Sequence, residues 1–201
     1  MAGPGRFAPR TLIASSAVTV AVVVVGVLVS STPAKQPDEP VQTTALPDRV
    51  HRASFCDRVP ESDLAAGLGG PVTGKASYGP GQTETVADGV KDIVDEFSCS
   101  WVGPASLEGS GSIRTWLFAP PVTIAQATEL AADVPRGCQA MAGAPAYGAP
   151  SSGYSCKDGS AALRGLFGDG WLTCQVQAPG DEFDLTTLSD VCDPIARAAA
   201  S

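Results

Sequence analysis

Six cysteines carry the clearest chemistry in the chain: Cys56, Cys99, Cys138, Cys156, Cys174 and Cys192. All lie beyond an apolar run near the N-terminus, and an even set so placed fits disulfides in an oxidising compartment. Structural zinc would need close ligand pairs such as Cys-x-x-Cys, or histidines, and the chain has no such pair and one histidine, His51. The last four cysteines stand 18 residues apart, but the segments between them share no other pattern, so no repeat is read. Sequential pairing is expected, Cys56 with Cys99, Cys138 with Cys156 and Cys174 with Cys192, one of about 15 arrangements open to six cysteines. Cys174 shares a strand face with Leu172 and Val176, and Cys192 a helix face with Leu188 and Ile195. Both therefore point at one core.

Histidine-dependent nucleophilic catalysis needs the base within hydrogen-bond reach of the nucleophile, and His51 precedes the expected domain. A Gly-x-Ser-x-Gly elbow, a Ser-x-x-Lys pair and a phosphate-cradling glycine loop are all missing, so Gly109-Ser110-Gly111-Ser112 reads as a turn and no cofactor is expected. Two carboxylates would suffice for glycoside hydrolysis. Asp88, Asp92, Asp95 and Glu96 form one acidic run and Asp181, Glu182 and Asp184 another, each read first as solvated charge or helix capping. Neither run has the alternating ligands and central glycine of a calcium loop.

Trp101, Trp116 and Trp171 read first as strand core, with a stacking platform for sugar or peptide as the alternative. The run Ile113–Ala119 is apolar on both faces, Ile113 and Leu117 pointing one way and Trp116 and Phe118 the other. Trp116 and Phe118 are the candidate partner face, unless the domain's own helices cover them. Met141 and Tyr147 serve equally as loop anchors or contacts.

The elements that must position these residues begin with a membrane segment. Leu12 to Val29 carries no charge, and none occurs between Arg10 and Lys35, enough for a helix to cross about 30 Å of hydrocarbon. Arg6 and Arg10 keep residues 1–10 cytoplasmic and send the rest outside. The run, residues 11–30, exceeds the usual apolar region of a signal peptide and the Thr32-Pro33-Ala34 site is mediocre, so a retained anchor is favoured; the protein is secreted if the segment is cleaved. Residues 31–54, with Pro33, Pro37, Pro40 and Pro47, read as an extended stalk.

Residues 55–201 form the domain. Glu61 to Leu68 reads as a helix stopped by Gly69-Gly70-Pro71, and residues 71–90 give no clean period. Phe97, Cys99 and Trp101 alternate with serines as a half-buried strand, and Ile113–Ala119 follows as the next. Thr123 and Gln126 make a capping box for a helix burying Ile124, Ala127, Ala131 and Val134. Residues 139–155 read as a small-residue loop, and Ala161–Phe167 with Trp171–Val176 as a hairpin turning at Gly168-Asp169-Gly170. Asp184 caps a last helix, kinked or restarted at Pro194. The fold expected is α+β, an antiparallel sheet of two hairpins packed with helices and stapled by disulfides.

The segments FCDRVPESDLAAGLGG, FSCSW, CQVQ and VCDPIARAA together resemble a group of small actinobacterial cell-envelope proteins of unknown function. Arg outnumbers Lys nine to four, the bias of high-GC coding. Members of that group are commonly lipoproteins, and this chain lacks their lipid-attachment cysteine. The resemblance implies envelope location and no activity. With Arg6 and Arg10 set aside, 11 basic residues face 21 acidic ones, a net of −10, which argues against nucleic acid as partner. A non-catalytic binding or accessory module is expected, facing an envelope protein or cell-wall ligand. The alternative is a carboxylate-dependent hydrolase acting on cell-wall glycan.

Overall fold

The computed structural model describes residues 45–87, 90–106, 109–179 and 185–201. The membrane run 11–30, the tail before it and residues 31–44 lie outside these, as do Asp88, Asp181, Glu182 and Asp184. No helix among the described residues is long and apolar enough to cross a membrane.

The elements run α1 (Glu61–Leu68), β1 (Gly74–Tyr78), β2 (Thr83–Ala87), β3 (Val90–Ile93), β4 (Glu96–Val102), β5 (Ser112–Phe118), α2 (Ile124–Ala132), β6 (Cys138–Ala140), β7 (Ser151–Cys156), β8 (Ser160–Phe167), β9 (Gly170–Gln177) and α3 (Leu185–Ala200). Seven strands form one sheet in the order β1-β4-β5-β9-β8-β7-β6, every neighbouring pair antiparallel, while β2 and β3 form a separate ribbon. The two expected hairpins, β4-β5 and β8-β9, are its centre, joined through β5 and β9. Gly168, at φ 70°, supplies the left-handed corner of the β8-β9 turn, where Phe167 pairs with Gly170.

Alternation gives this sheet two faces. On one, Cys99, Trp101, Ile113, Leu117, Leu163, Leu172, Cys174 and Val176 pack against Leu64 and Leu68 of α1 and Leu188, Val191, Cys192 and Ile195 of α3. Trp101, Ile113, Leu117, Leu172, Cys174 and Val176 are wholly buried there. On the other face α2 lies over one end, where Ala127, Leu166, Trp171 and Val122 form a second, smaller cluster. The capping box that starts α2 is present, with the Gln126 amide donating to Thr123 Oγ1 at 3.3 Å and the Thr123 amide donating to Gln126 Oε1 at 2.9 Å.

Each disulfide joins the expected partners. Cys56–Cys99 ties the first turn of the domain to β4, Cys138–Cys156 crosses β6 and β7, and Cys174–Cys192 ties β9 to α3.

Several expectations need correction. The sheet holds more than two hairpins, because the segment read as a small-residue loop contains β6 and β7. Its small residues answer to close packing instead: the chain around Tyr147 presses on β8 so tightly that a Cβ at Gly165 would overlap the Tyr147 carbonyl oxygen. The last ten residues of the expected stalk, 45–54, also lie against the domain as a strap. Val50 is buried and its amide donates to the Phe167 carbonyl at 3.5 Å, the His51 amide donates to Ala199 O at 2.7 Å, and Arg52 pairs with Asp169 at 3.3 Å. Ile124 is 71% exposed, because α2 turns Ala127 and Leu130 to the sheet. α3 is one helix through Pro194 and does not restart at Asp193. The burial of Val191, Cys192, Ile195, Ala196, Ala198 and Ala199 on either side outweighs the amide that the ring removes.

Candidate functional site

The face that carries α2 is covered only in part. Across the strands beside it, one register row reads Tyr78, Ser98, Trp116, Thr173, and the next Ala76, Ser100, Arg114, Gln175. Of these, Tyr78, Ser98, Trp116, Ser100, Arg114 and Gln175, with Glu96, line a groove of about 210 Å³. Tyr78 and Trp116 belong to strands two apart, so at a strand spacing of about 4.8 Å their side chains leave the sheet roughly 10 Å from one another. Ser98 lies on the floor between them.

Ser98 is 7% exposed, and its hydroxyl is buried without a hydrogen-bond partner. Such a group normally costs about 1–3 kcal/mol unless something satisfies it, and on the groove floor a ligand hydroxyl is placed to do so. At the rim, Gln175 Nε2 donates to Ser160 Oγ at 3.0 Å, and Ser160 Oγ donates to Asp158 Oδ1 at 2.8 Å. Those bonds hold the Asp158 carboxyl below the usual carboxylate range, first through the Ser160 hydroxyl and then through its amide. A fixed chain of polar groups thus reaches the groove from the far side of β9.

Further along the same face, Arg164 is buried beneath the end of α2. Its guanidinium donates to Ser152 Oγ at 3.0 Å and to the Asp133 carbonyl, and lies 5.0 Å from the centre of the Tyr154 ring. Burial lowers the Arg164 pKa and raises that of Tyr154. Arg164 is a clamp that closes this part of the face and leaves the Tyr78–Trp116 part open.

No protein-family model, curated protein or solved structure matches the chain. The groove is read from its own atoms.

The candidate partner face divides between two places. Trp116 is half-buried and lines the groove, whereas Phe118 packs on the cluster of Val122, Leu130, Ala131 and Trp171 under α2. Phe118 also borders an apolar concavity of about 440 Å³ with Pro120, Pro121 and Leu130. Trp101 and Trp171 are core, as the first reading of them had it. Tyr147 is an anchor: fully buried, set edge-on to Phe167 with ring centres 5.1 Å apart, its hydroxyl donating to Cys192 O at 3.2 Å. Met141 packs at the edge of the main core.

Of the acidic candidates among the described residues, Glu96 enters the groove while Asp92 and Asp95 are exposed outside it. His51 is exposed on the strap. Sequence reasoning missed Tyr78, Ser98, Ser100, Arg114 and Gln175. The serines of FSCSW were visible as the polar side of a strand, but only pairing with β1 and β5 puts aromatic rings on both sides of Ser98.

Proposed function

We propose that the chain is a membrane-anchored, extracytoplasmic module of the bacterial cell envelope that binds a partner at the Tyr78–Trp116 groove without catalysing a reaction. The observation that carries this reading is a half-buried tryptophan beside an unsatisfied serine on the open part of a sheet whose opposite face packs against α1 and α3. Three disulfides favour an oxidising compartment. The uncharged run and its flanking arginines favour an anchor with the domain outside, and the resemblance to small actinobacterial envelope proteins agrees with that address. The hydrolase alternative requires two carboxylates held about 5–9.5 Å apart across a cleft, and among the described residues Glu96 is the carboxylate that lines this groove.

A photo-cross-linking side chain at position 116, in native cells, tests the binding role. It captures a specific envelope component, identified by mass spectrometry, that the same probe at exposed Ile124 does not. Equal capture at both positions rejects the groove as the site. For the address, protease added to spheroplasts digests the domain of a full-length protein in the membrane fraction, and a mature N-terminus near Lys35 in the medium overturns the anchor.

A further inference from the structure

The groove's size, charge and walls together select a ligand chemistry. Its volume of about 210 Å³ is below the range of roughly 300–1,000 Å³ that takes drug-sized molecules, and suits one six-membered ring. Glu96 and Arg114 bring one charge of each sign, so the groove has no net field to hold a phosphate or an ammonium group. An extended peptide that adds a strand draws its affinity from main-chain bonds, which it would make along the outer edge of β1 and not on the face where the groove lies. A flat aromatic ligand would fill the space between Tyr78 and Trp116 but leave the Ser98 hydroxyl unsatisfied. A sugar ring meets both demands: its C–H face lies against an indole, and its hydroxyls donate and accept as a serine hydroxyl does.

We infer that the Tyr78–Trp116 groove binds one pyranose ring of an uncharged glycan, with Trp116 as the stacking surface and Ser98 Oγ, on the floor, bonding a ring hydroxyl. This rests on the reading of the groove as the binding site. Ser100 and Gln175 line the same side and supply further polar contacts. A single ring held by so few groups binds at about millimolar Kd. Avidity along a polymer, rather than one contact, then sets retention in the wall.

The test uses the full chain in a detergent without a sugar headgroup, titrated with maltotriose, mannotriose and the N-acetylglucosamine trimer, with inorganic phosphate and tetra-alanine as comparison probes. Isothermal titration calorimetry reads binding in every variant, and because Trp101 and Trp171 are buried, a saturating change in tryptophan fluorescence of the unaltered chain reports Trp116. At least one trisaccharide saturates at about millimolar concentration. Trp116→Ala then weakens it about tenfold or more, Trp116→Phe retains part of the affinity, and Ser98→Ala weakens it about threefold to tenfold. Ser98→Ala leaves the melting temperature unchanged or raises it, a result that a merely structural serine would not give. The inference is overturned if no trisaccharide saturates, if phosphate or tetra-alanine binds instead, or if Ser98→Ala binds normally. Should the saccharides fail while the probe at position 116 still captures its component in cells, the sugar assignment falls and the binding site stands. Failure of both removes both.

Discussion

Along β5, neighbouring residues meet opposite fates. Ile113, Thr115 and Leu117 are 0% exposed beneath α1 and α3, while Arg114 is exposed and Trp116 and Phe118 are half-buried on the other side. The strand's own pattern is nearly symmetrical, with apolar bulk on both faces. What separates a core from a site here is the cover supplied by helices, two from the ends of the domain on one face and the short α2, next in the chain, on part of the other. Among the described residues, each face also holds an orphaned polar atom, Trp101 Nε1 in the packed layer and Ser98 Oγ in the groove.

The comparison breaks most visibly at its tryptophans. Trp101→Ala removes a fully buried ring and costs about 3–5 kcal/mol, which lowers the melting temperature by roughly 10 °C in a domain of this size. Trp116→Ala, made in a half-open groove, costs about 1 kcal/mol or less. Trp101→Phe is milder than its lost volume suggests, because it also removes an indole N–H that has no partner. Thermal melts of the three variants measure this directly. If Trp116→Ala falls as far as Trp101→Ala, both faces are core and the groove is packing.

A second contrast lies in the disulfides. Cys138–Cys156 and Cys174–Cys192 span the same 18 residues, so the loop-entropy model gives each about 3 kcal/mol. Their surroundings differ: Cys174 and Cys192 are 0% exposed, whereas Cys138 and Cys156 are partly exposed at the β6 end of the sheet. Under limiting reductant in native buffer, maleimide trapping and peptide mapping find Cys138 and Cys156 labelled first, with Cys174 and Cys192 protected until the domain unfolds. Paired alanine replacements destabilise more at Cys174 and Cys192, where the lost sulfurs also leave a buried cavity. Simultaneous labelling of all four would show that the packed face opens as easily as the edge.

How much of this was legible follows from where the information sits. The helix Glu61–Leu68, the Thr123–Gln126 capping box and the β8-β9 turn are written in local residues and needed no tertiary context. β7 was hidden because Ser151, Ser152 and Gly153 are chosen to let a loop lie on β8, and small residues chosen for packing look like small residues chosen for flexibility. The strap was hidden because Val50 and Leu46 are isolated apolar residues among prolines and charges, and what buries them lies at the far end of the chain, around Phe167 and α3. Trp116 was singled out from its strand alone. Tyr78 and Ser98 became part of the same site only through strand pairing, which no local pattern encodes.

The smallest effect sharpens how dry the α3 side is. Asp193 follows the buried Cys192 and is half-buried itself, and burial raises its pKa above the ordinary 3.8, with Asp190 adding to the rise and Arg197, one turn on, opposing it. Tyr147, whose hydroxyl bonds the Cys192 carbonyl, is pushed up mainly by its own burial and also by this carboxylate. A carboxyl with a raised folded pKa favours the native state while protonated. Its contribution is fully present below the unfolded value and is lost as pH rises through the folded one. At pH 7 the charge on Asp193 is therefore a burden on the packed face. Asp193→Asn keeps the shape, removes the charge and raises the melting temperature at pH 7, and the gain over wild type shrinks to nothing as the pH drops below about 3.8. A lower melting temperature for the variant at pH 7 would mean that attraction to Arg197 exceeds the cost of burial, and that water reaches this end of α3 as freely as it reaches the groove.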